Sequence, residues 1–196
     1  MGTKDFNIID ILIASARLKK VQKYASEEDT VLDFGCGFDA YLLKSVKSII
    51  GYGVGLDYEV KNQQIGENIK LINFHYKNKL PFENGFFSKI FVLAVIEHFD
   101  FNKASILFKE FSRVLDKSGR VIITTPTLKS KKILEFLARR LKLISQKEIA
   151  DHKKYYSEKD ILDLSKSTGF RLEYYQKFQF GLNSLAVLEK NDQKNK

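Results

Sequence analysis

The chain has one cysteine, two prolines and three histidines among its 196 residues. A lone Cys36 excludes an intrachain disulfide, and no Cys/His group has zinc-ligand spacing, so a reducing cytosol and no bound metal are expected. Long apolar runs are also missing: Ile8 to Ala14 is interrupted by Asp10, lacks a small-residue cleavage site and is too short to span a bilayer. The chain therefore reads as soluble and cytoplasmic. No internal repeat or low-complexity segment is present. Acidic residues are in deficit, with 24 Asp and Glu against 33 Lys and Arg. That excess favours anionic partners, whether nucleic acid, an acidic lipid surface or a phosphorylated or carboxylated small molecule, or else forms a solvated basic surface. What is present is a 44% hydrophobic content, sufficient for one globular core.

Periodicity predicts an α/β fold. Ile11, Ala14, Leu18 and Val21 recur at helical spacing, giving an N-terminal helical segment within residues 1–27 that leads into a strand at Thr30 to Phe34. Asp39 is expected to cap a helix that turns Leu42, Val46 and Ile49 inward, and strands follow at Tyr52 to Leu56, Lys70 to Phe74, Lys89 to Val95 and Arg120 to Thr125. Before the fifth strand, Leu107, Phe111, Val114 and Leu115 form a helical stripe expected to end near Gly119 in a left-handed stop. A helix covers roughly 129–144, and another starts at Ser157 with Asp160 placed for a capping box and stops at Gly169. Strands Arg171 to Phe178 and Asn183 to Glu189, joined through Gly181, close the chain as an antiparallel hairpin. The expected architecture is a seven-stranded, mostly parallel sheet with helices on both faces. It forms a single domain over 1–190, with a helical insert at 128–156 and a frayed tail at 191–196.

The most informative run is Val31-Leu32-Asp33-Phe34-Gly35-Cys36-Gly37-Phe38-Asp39-Ala40. A strand that opens through two glycines into a helix lets the backbone approach a ligand closely and presents unsatisfied N–H groups to it. Asp57, at the end of the second strand, can accept hydrogen bonds from both hydroxyls of a ribose, which indicates an adenosine-containing ligand. The spacing of Gly35, Gly37 and Ala40 would suit a nicotinamide dinucleotide equally well. Asp33 weighs against that ligand, because a carboxylate beside a pyrophosphate places like charges together. S-adenosylmethionine, which carries an ammonium and a sulfonium and no phosphate, reverses the sign. The alternative for Asp33 is a strand-end carboxylate accepting backbone amides.

These residues resemble the class I S-adenosylmethionine-dependent methyltransferases, within them the small single-domain type that includes the ubiquinone-biosynthesis-like enzymes with their Rossmann-like fold. The similarity runs from Val21 to Leu188. Val31 to Gly37 looks like the first motif, Gly55-Leu56-Asp57 like the acidic second-strand motif, and Leu80 to Phe87 like the loop before strand four. Val95-Ile96-Glu97-His98-Phe99 looks like the segment after that strand, and Phe111 to Arg120 like the lead into strand five. The resemblance implies that Asp33, Phe34, Gly35, Cys36 and Gly37 hold the methionine part of the cofactor and that Asp57 holds the ribose. It further implies that Tyr58 flanks the adenine and that the Ala94 carbonyl receives the ammonium. The chain departs from the pattern at Asp39, where a third glycine often stands, and at Tyr76, where an aspartate often bonds the adenine amino group. Ser88 and Ser118 replace a common aspartate and proline.

Methyl transfer from a sulfonium is an in-line displacement that needs mainly alignment and desolvation. A base matters only when the acceptor must lose a proton, and His98 and His152 are the candidates, with Asp151 able to orient His152. Glu97 contacts the substrate or fixes the turn beyond strand four, and Tyr155 and Tyr156 are candidate pocket walls or a hydrophobic lead-in to the next helix. The helix over 129–144 combines Leu134, Leu137, Leu141 and Ile144 with Lys129, Lys131, Lys132, Arg139, Arg140 and Lys142. It could lie on an anionic membrane, cover an anionic substrate, or pack on the sheet with a solvated basic face. The expected activity is methyl transfer to a small molecule such as a lipid, quinone or saccharide precursor. The alternatives are an RNA or protein methyltransferase, less favoured because no Asn/Asp-Pro-Pro-Tyr-type motif is present, or a non-catalytic binding module.

Overall fold

Strand segments rich in apolar and β-branched residues assemble into one sheet in a computed structural model that describes residues 8–131 and 152–191. In chain order the elements are α1 (Ile8–Val21), β1 (Thr30–Phe34), α2 (Tyr41–Val46), β2 (Tyr52–Asp57), β3 (Gln63–Ile65) and β4 (Ile69–Asn73). They continue with β5 (Phe87–Leu93), α3 (Phe101–Val114), β6 (Leu115–Pro126), α4 (Glu158–Ser167), β7 (Phe170–Phe178) and β8 (Asn183–Lys190). The helix expected over 129–144 lies, beyond Lys131, outside the described residues, as do Asp151 and the tail beyond Asn191.

The sheet order is β3-β4-β2-β1-β5-β6-β8-β7. β1 pairs in parallel with β2 and β5, and β6 carries the antiparallel β8-β7 hairpin. Strand order reverses between β1 and β5, so the loops leaving those two strands open side by side, where an open α/β sheet binds its ligand. Consecutive strand residues alternate between two apolar layers. Leu32, Leu56, Ile90 and Val121 meet Phe108 and Phe111 of α3 and Leu164 of α4 on one face. On the other, Val31, Phe91 and Ile122 meet Val21 of α1 and Leu43 and Val46 of α2.

Among the described residues, eight strands form where seven were expected. The extra one, β3, is three residues long and pairs antiparallel with β4 through Gln63, Gln64 and Ile65, too short and polar to show a periodic signal. Asp39 does not cap α2: the N-cap is Ala40 at φ 47°, with no side-chain cap bond. Ile49 faces outward, and Leu43 and Ile50 are buried instead. The helix before β6 stops at Val114, and Gly119 is not left-handed. Its glycine is needed for space, since a Cβ there would stand 2.6 Å from Leu115 Cδ2. Residues 115–119 belong to β6, whose register against β5 shifts between the Phe87–Leu115 and Lys89–Arg120 pairs. The capping box at Ser157 and Asp160 forms as expected, and Gly169 follows α4 at φ 84°.

Candidate functional site

The glycine loop is shaped by its neighbours. The amides of Gly35 and Cys36 both donate to Leu56 O, at 2.8 and 3.2 Å, which folds the loop over the end of β2. Gly35 has φ 76°, and a Cβ on it would come 2.5 Å from Val95 Cγ2, so no other residue passes the β5 exit without displacement. Gly37 N donates to Asp57 Oδ2 at 2.9 Å, and Glu59 N donates to Asp57 Oδ1 at 2.9 Å. Asp57 thus holds the β1 and β2 loops together.

Asp33 is 2% exposed, with its carboxyl raised to about 7 by burial and by the charge of Asp57. A buried carboxylate in that condition is stabilised by a cationic ligand. The same burial, with Asp33 and Asp57 adding, pushes the Cys36 thiol far up, so Cys36 serves as a packing residue of the loop rather than a nucleophile.

Two cavities flank the junction of Gly35 and Ala94. One, of about 330 Å³, lies between α1 and the loop and is lined by Asp33, Gly37, Asp39 and Arg17. The other, of about 300 Å³, is lined by Phe34, Asp57, Tyr58, His75, Tyr76 and His98. Ala94, which borders both, has a left-handed φ of 56° and donates its amide to Thr124 O at 2.8 Å. Such strain in a non-glycine residue is concentrated where a fold shapes a site. Tyr58 lies 5.6 Å from the His75 ring. Tyr76 stands edge-on to Phe34 at 5.7 Å; its buried hydroxyl lacks a hydrogen-bond partner among the described residues, and burial pushes its pKa up to about 12.

Beyond Ala94, a 3-10 turn over Ile96–His98 carries Glu97 and His98. Glu97 is 1% exposed; Thr125 Oγ1 donates to its Oε2 at 3.0 Å. Burial raises its carboxyl pKa, against its own backbone hydrogen bond and the charges of Arg17 and His98. The Glu97 carbonyl accepts the amides of Lys153 and Lys154, at 2.8 and 3.1 Å, which seats the segment before α4 on the turn. His152 consequently meets His98 with ring centroids 5.2 Å apart, and its Nδ1 lies 3.1 Å from the Tyr155 hydroxyl. Tyr156 is fully buried in the core, with its hydroxyl donating to Phe99 O at 3.0 Å, and it lines neither cavity. The pocket-wall expectation for Tyr156 therefore gives way to its hydrophobic alternative, because its ring packs under α4.

Sequence reasoning passed over Arg17. Its side chain lines the first cavity with Nε buried and, among the described residues, lacking a hydrogen-bond partner, while Nη2 donates to Asn183 Oδ1 at 3.4 Å. Burial lowers its pKa, and Glu97 opposes that shift. The signal was present: Arg17 falls on the Ala14, Leu18 and Val21 stripe, an arginine on the apolar face of an amphipathic helix.

Comparison with known proteins agrees with this arrangement. A family model described as a methyltransferase domain matches residues 11–175. No curated protein sequence matches the chain. Among solved structures, an S-adenosylmethionine-dependent methyltransferase from Methanosarcina mazei shares 16% identity at a TM-score of 0.62, covering 88% of this chain and 97% of that one. An S-adenosylmethionine-dependent methyltransferase from Mesorhizobium loti shares 12% at 0.68, covering 91% and 100%. CalO1, a methyltransferase of calicheamicin biosynthesis in its S-adenosylhomocysteine-bound form, shares 15% at 0.66, covering 90% and 54%. With its family model spanning most of its length and its sheet built on their plan, the chain belongs to the class I S-adenosylmethionine-dependent methyltransferases, whose cofactor is S-adenosylmethionine.

Proposed function

We propose that this methyltransferase acts on a small-molecule acceptor that enters beside His98, His152 and Tyr155. The observation that carries this reading is the convergence of three rings beyond Ala94: His152 stands 5.2 Å from His98 and 5.3 Å from Tyr155. A compact wall of aromatic and hydrogen-bonding groups suits a small ligand. Lys131, with Nζ 5.9 Å from the Tyr155 ring centre, adds positive charge and favours an acceptor bearing a carboxylate or phosphate.

The cofactor's groups match polar side chains gathered around the two cavities. Asp33 suits the ammonium and sulfonium, the buried Nε of Arg17 suits the carboxylate, Asp57 suits the ribose, and the Tyr76 hydroxyl suits an adenine nitrogen. When bound, S-adenosylmethionine supplies a methyl group on a sulfur that is already a good leaving group. The residues around it bind, orient and exclude water, which is where the rate enhancement originates. The imidazoles of His98 and His152 lie at the acceptor side and can take a proton from a hydroxyl or amine acceptor.

The test is incubation of the enzyme with tritium-methyl-labelled S-adenosylmethionine and a whole cell extract that retains its small molecules, followed by separation of small-molecule products from the cofactor, RNA and protein. Label in the small-molecule fraction that disappears with Asp57→Ala supports the proposal. Label confined to RNA or protein overturns it.

A further inference from the structure

We propose that Glu97, His98 and His152 form a binding site for a divalent transition-metal ion on the acceptor side of the cavity. The donor atoms of these three side chains lie within 4.8 Å of one another. The grouping has no counterpart in sequence spacing, because His152 arrives only when the segment before α4 is strapped to the 3-10 turn by the Glu97 carbonyl. Donors on one ion at bond lengths of about 2.1 Å sit roughly 3.4 Å apart in a tetrahedral arrangement, so modest side-chain rotation closes the spread.

The donor set selects the ion. Two imidazole nitrogens and one carboxylate oxygen are the ligands of zinc, manganese, iron or cobalt, whereas calcium and magnesium prefer all-oxygen shells. The supporting contacts are those that orient metal ligands. Thr125 Oγ1 donates to Glu97 Oε2 at 3.0 Å, and the Tyr155 hydroxyl lies 3.1 Å from His152 Nδ1, so that ring would ligate through Nε2. The Glu97 carboxylate is almost completely removed from water, and an anion there is stabilised by a nearby cation. Arg17 already exerts part of that effect from α1.

Three protein ligands leave at least one position open. His98 borders the second cavity beside Asp57, Tyr58 and Tyr76, so the open position lies at the edge of the nucleoside pocket, between it and the His152 and Tyr155 rings. One carboxylate against a divalent ion, with Arg17 and Lys131 nearby, leaves net positive charge, which suits an anionic oxygen donor such as a phenolate, enolate or carboxylate. This last role, unlike ion binding itself, rests on the methyl-transfer reading. In the metal-bound form both imidazoles are ligands, and a coordinated hydroxyl would release its proton to bulk water because the ion lowers its pKa.

Equilibrium dialysis of the full chain against zinc ion, after chelator treatment, tests the proposal, with cobalt ion as a spectroscopic probe. The expected result is one equivalent of zinc, weakened at least about tenfold by His152→Ala and by His98→Ala. His75→Ala, which removes the third histidine of the chain, should leave the affinity unchanged. Less than a tenth of an equivalent, equal binding in His152→Ala, or a loss with His75→Ala would overturn the site. Thermal melting and S-adenosylhomocysteine binding of each variant report whether it is folded. Cofactor binding without zinc binding defeats only the metal site, and zinc binding without cofactor binding defeats only the methyl-transfer reading.

Discussion

Gly37 donates its amide to Asp57 Oδ2 at 2.9 Å, so one carboxylate ties the glycine loop of β1 to the end of β2. Asp57→Ala removes that tie and the ribose contact together. S-adenosylhomocysteine binding should weaken by about 1.5–3 kcal/mol, the range for hydrogen bonds to a charged group. Titration calorimetry reads the change directly, and an unchanged dissociation constant rejects the ribose assignment.

Asp33 couples cofactor binding to pH. Its carboxyl in the fold is raised to about 7 from the ordinary value of 3.8, so between these values the native state holds a proton that the unfolded chain has released. Stability contributed by the neutral form is present below about pH 4 and is lost as pH rises to about 7. Binding of the ligand's α-ammonium, which S-adenosylhomocysteine keeps, runs the other way, since it requires the carboxylate. Affinity for S-adenosylhomocysteine should rise about tenfold between pH 6 and pH 8, as the ionised fraction grows. Asp33→Asn should bind weakly and abolish that slope, and a slope that survives the substitution contradicts the assignment.

Gly35 combines two constraints that a double mutant separates. Gly35→Ala introduces both a strained φ of 76° and a 2.5 Å approach to Val95 Cγ2, and should destabilise the fold by about 1–3 kcal/mol. Adding Val95→Ala removes the collision and leaves the backbone strain. Urea unfolding should therefore show a coupling of at least about 0.5 kcal/mol between the two sites. Strict additivity would mean that Val95 does not set the limit.

Arg113 acts at a distance from the cavities. Its guanidinium donates to Glu110, to Phe82 O at 2.8 Å and to Leu80 O at 3.0 Å, fastening the loop before β5 to α3. Arg113→Ala strands these acceptors and should lower stability by about 2–4 kcal/mol in urea unfolding. A change below about 0.5 kcal/mol would show that the loop is held by its phenylalanines alone.

What the sequence disclosed follows the range of the interaction that encodes it. The glycine loop and the Ser157–Asp160 capping box were legible because every partner lies within a few residues or follows strand periodicity. Asp57 was legible as an acidic strand end, although its bond to Gly37 depends on the pairing of β1 with β2. Arg17 and Asn183 meet across nearly the whole chain, and His98 meets His152 only through the bonds of Lys153 and Lys154 to Glu97. Neither meeting leaves a local pattern. Gly119 misled because the same residue serves a left-handed stop and a crowded strand, and only the position of Leu115 decides between them.

Titration calorimetry of the full chain with S-adenosylhomocysteine tests most directly whether the fold retains a working cofactor site. The expected result is binding of one ligand per chain, weakened by Asp57→Ala and by Asp33→Asn. No heat of binding at millimolar ligand, with the chain folded, would contradict it.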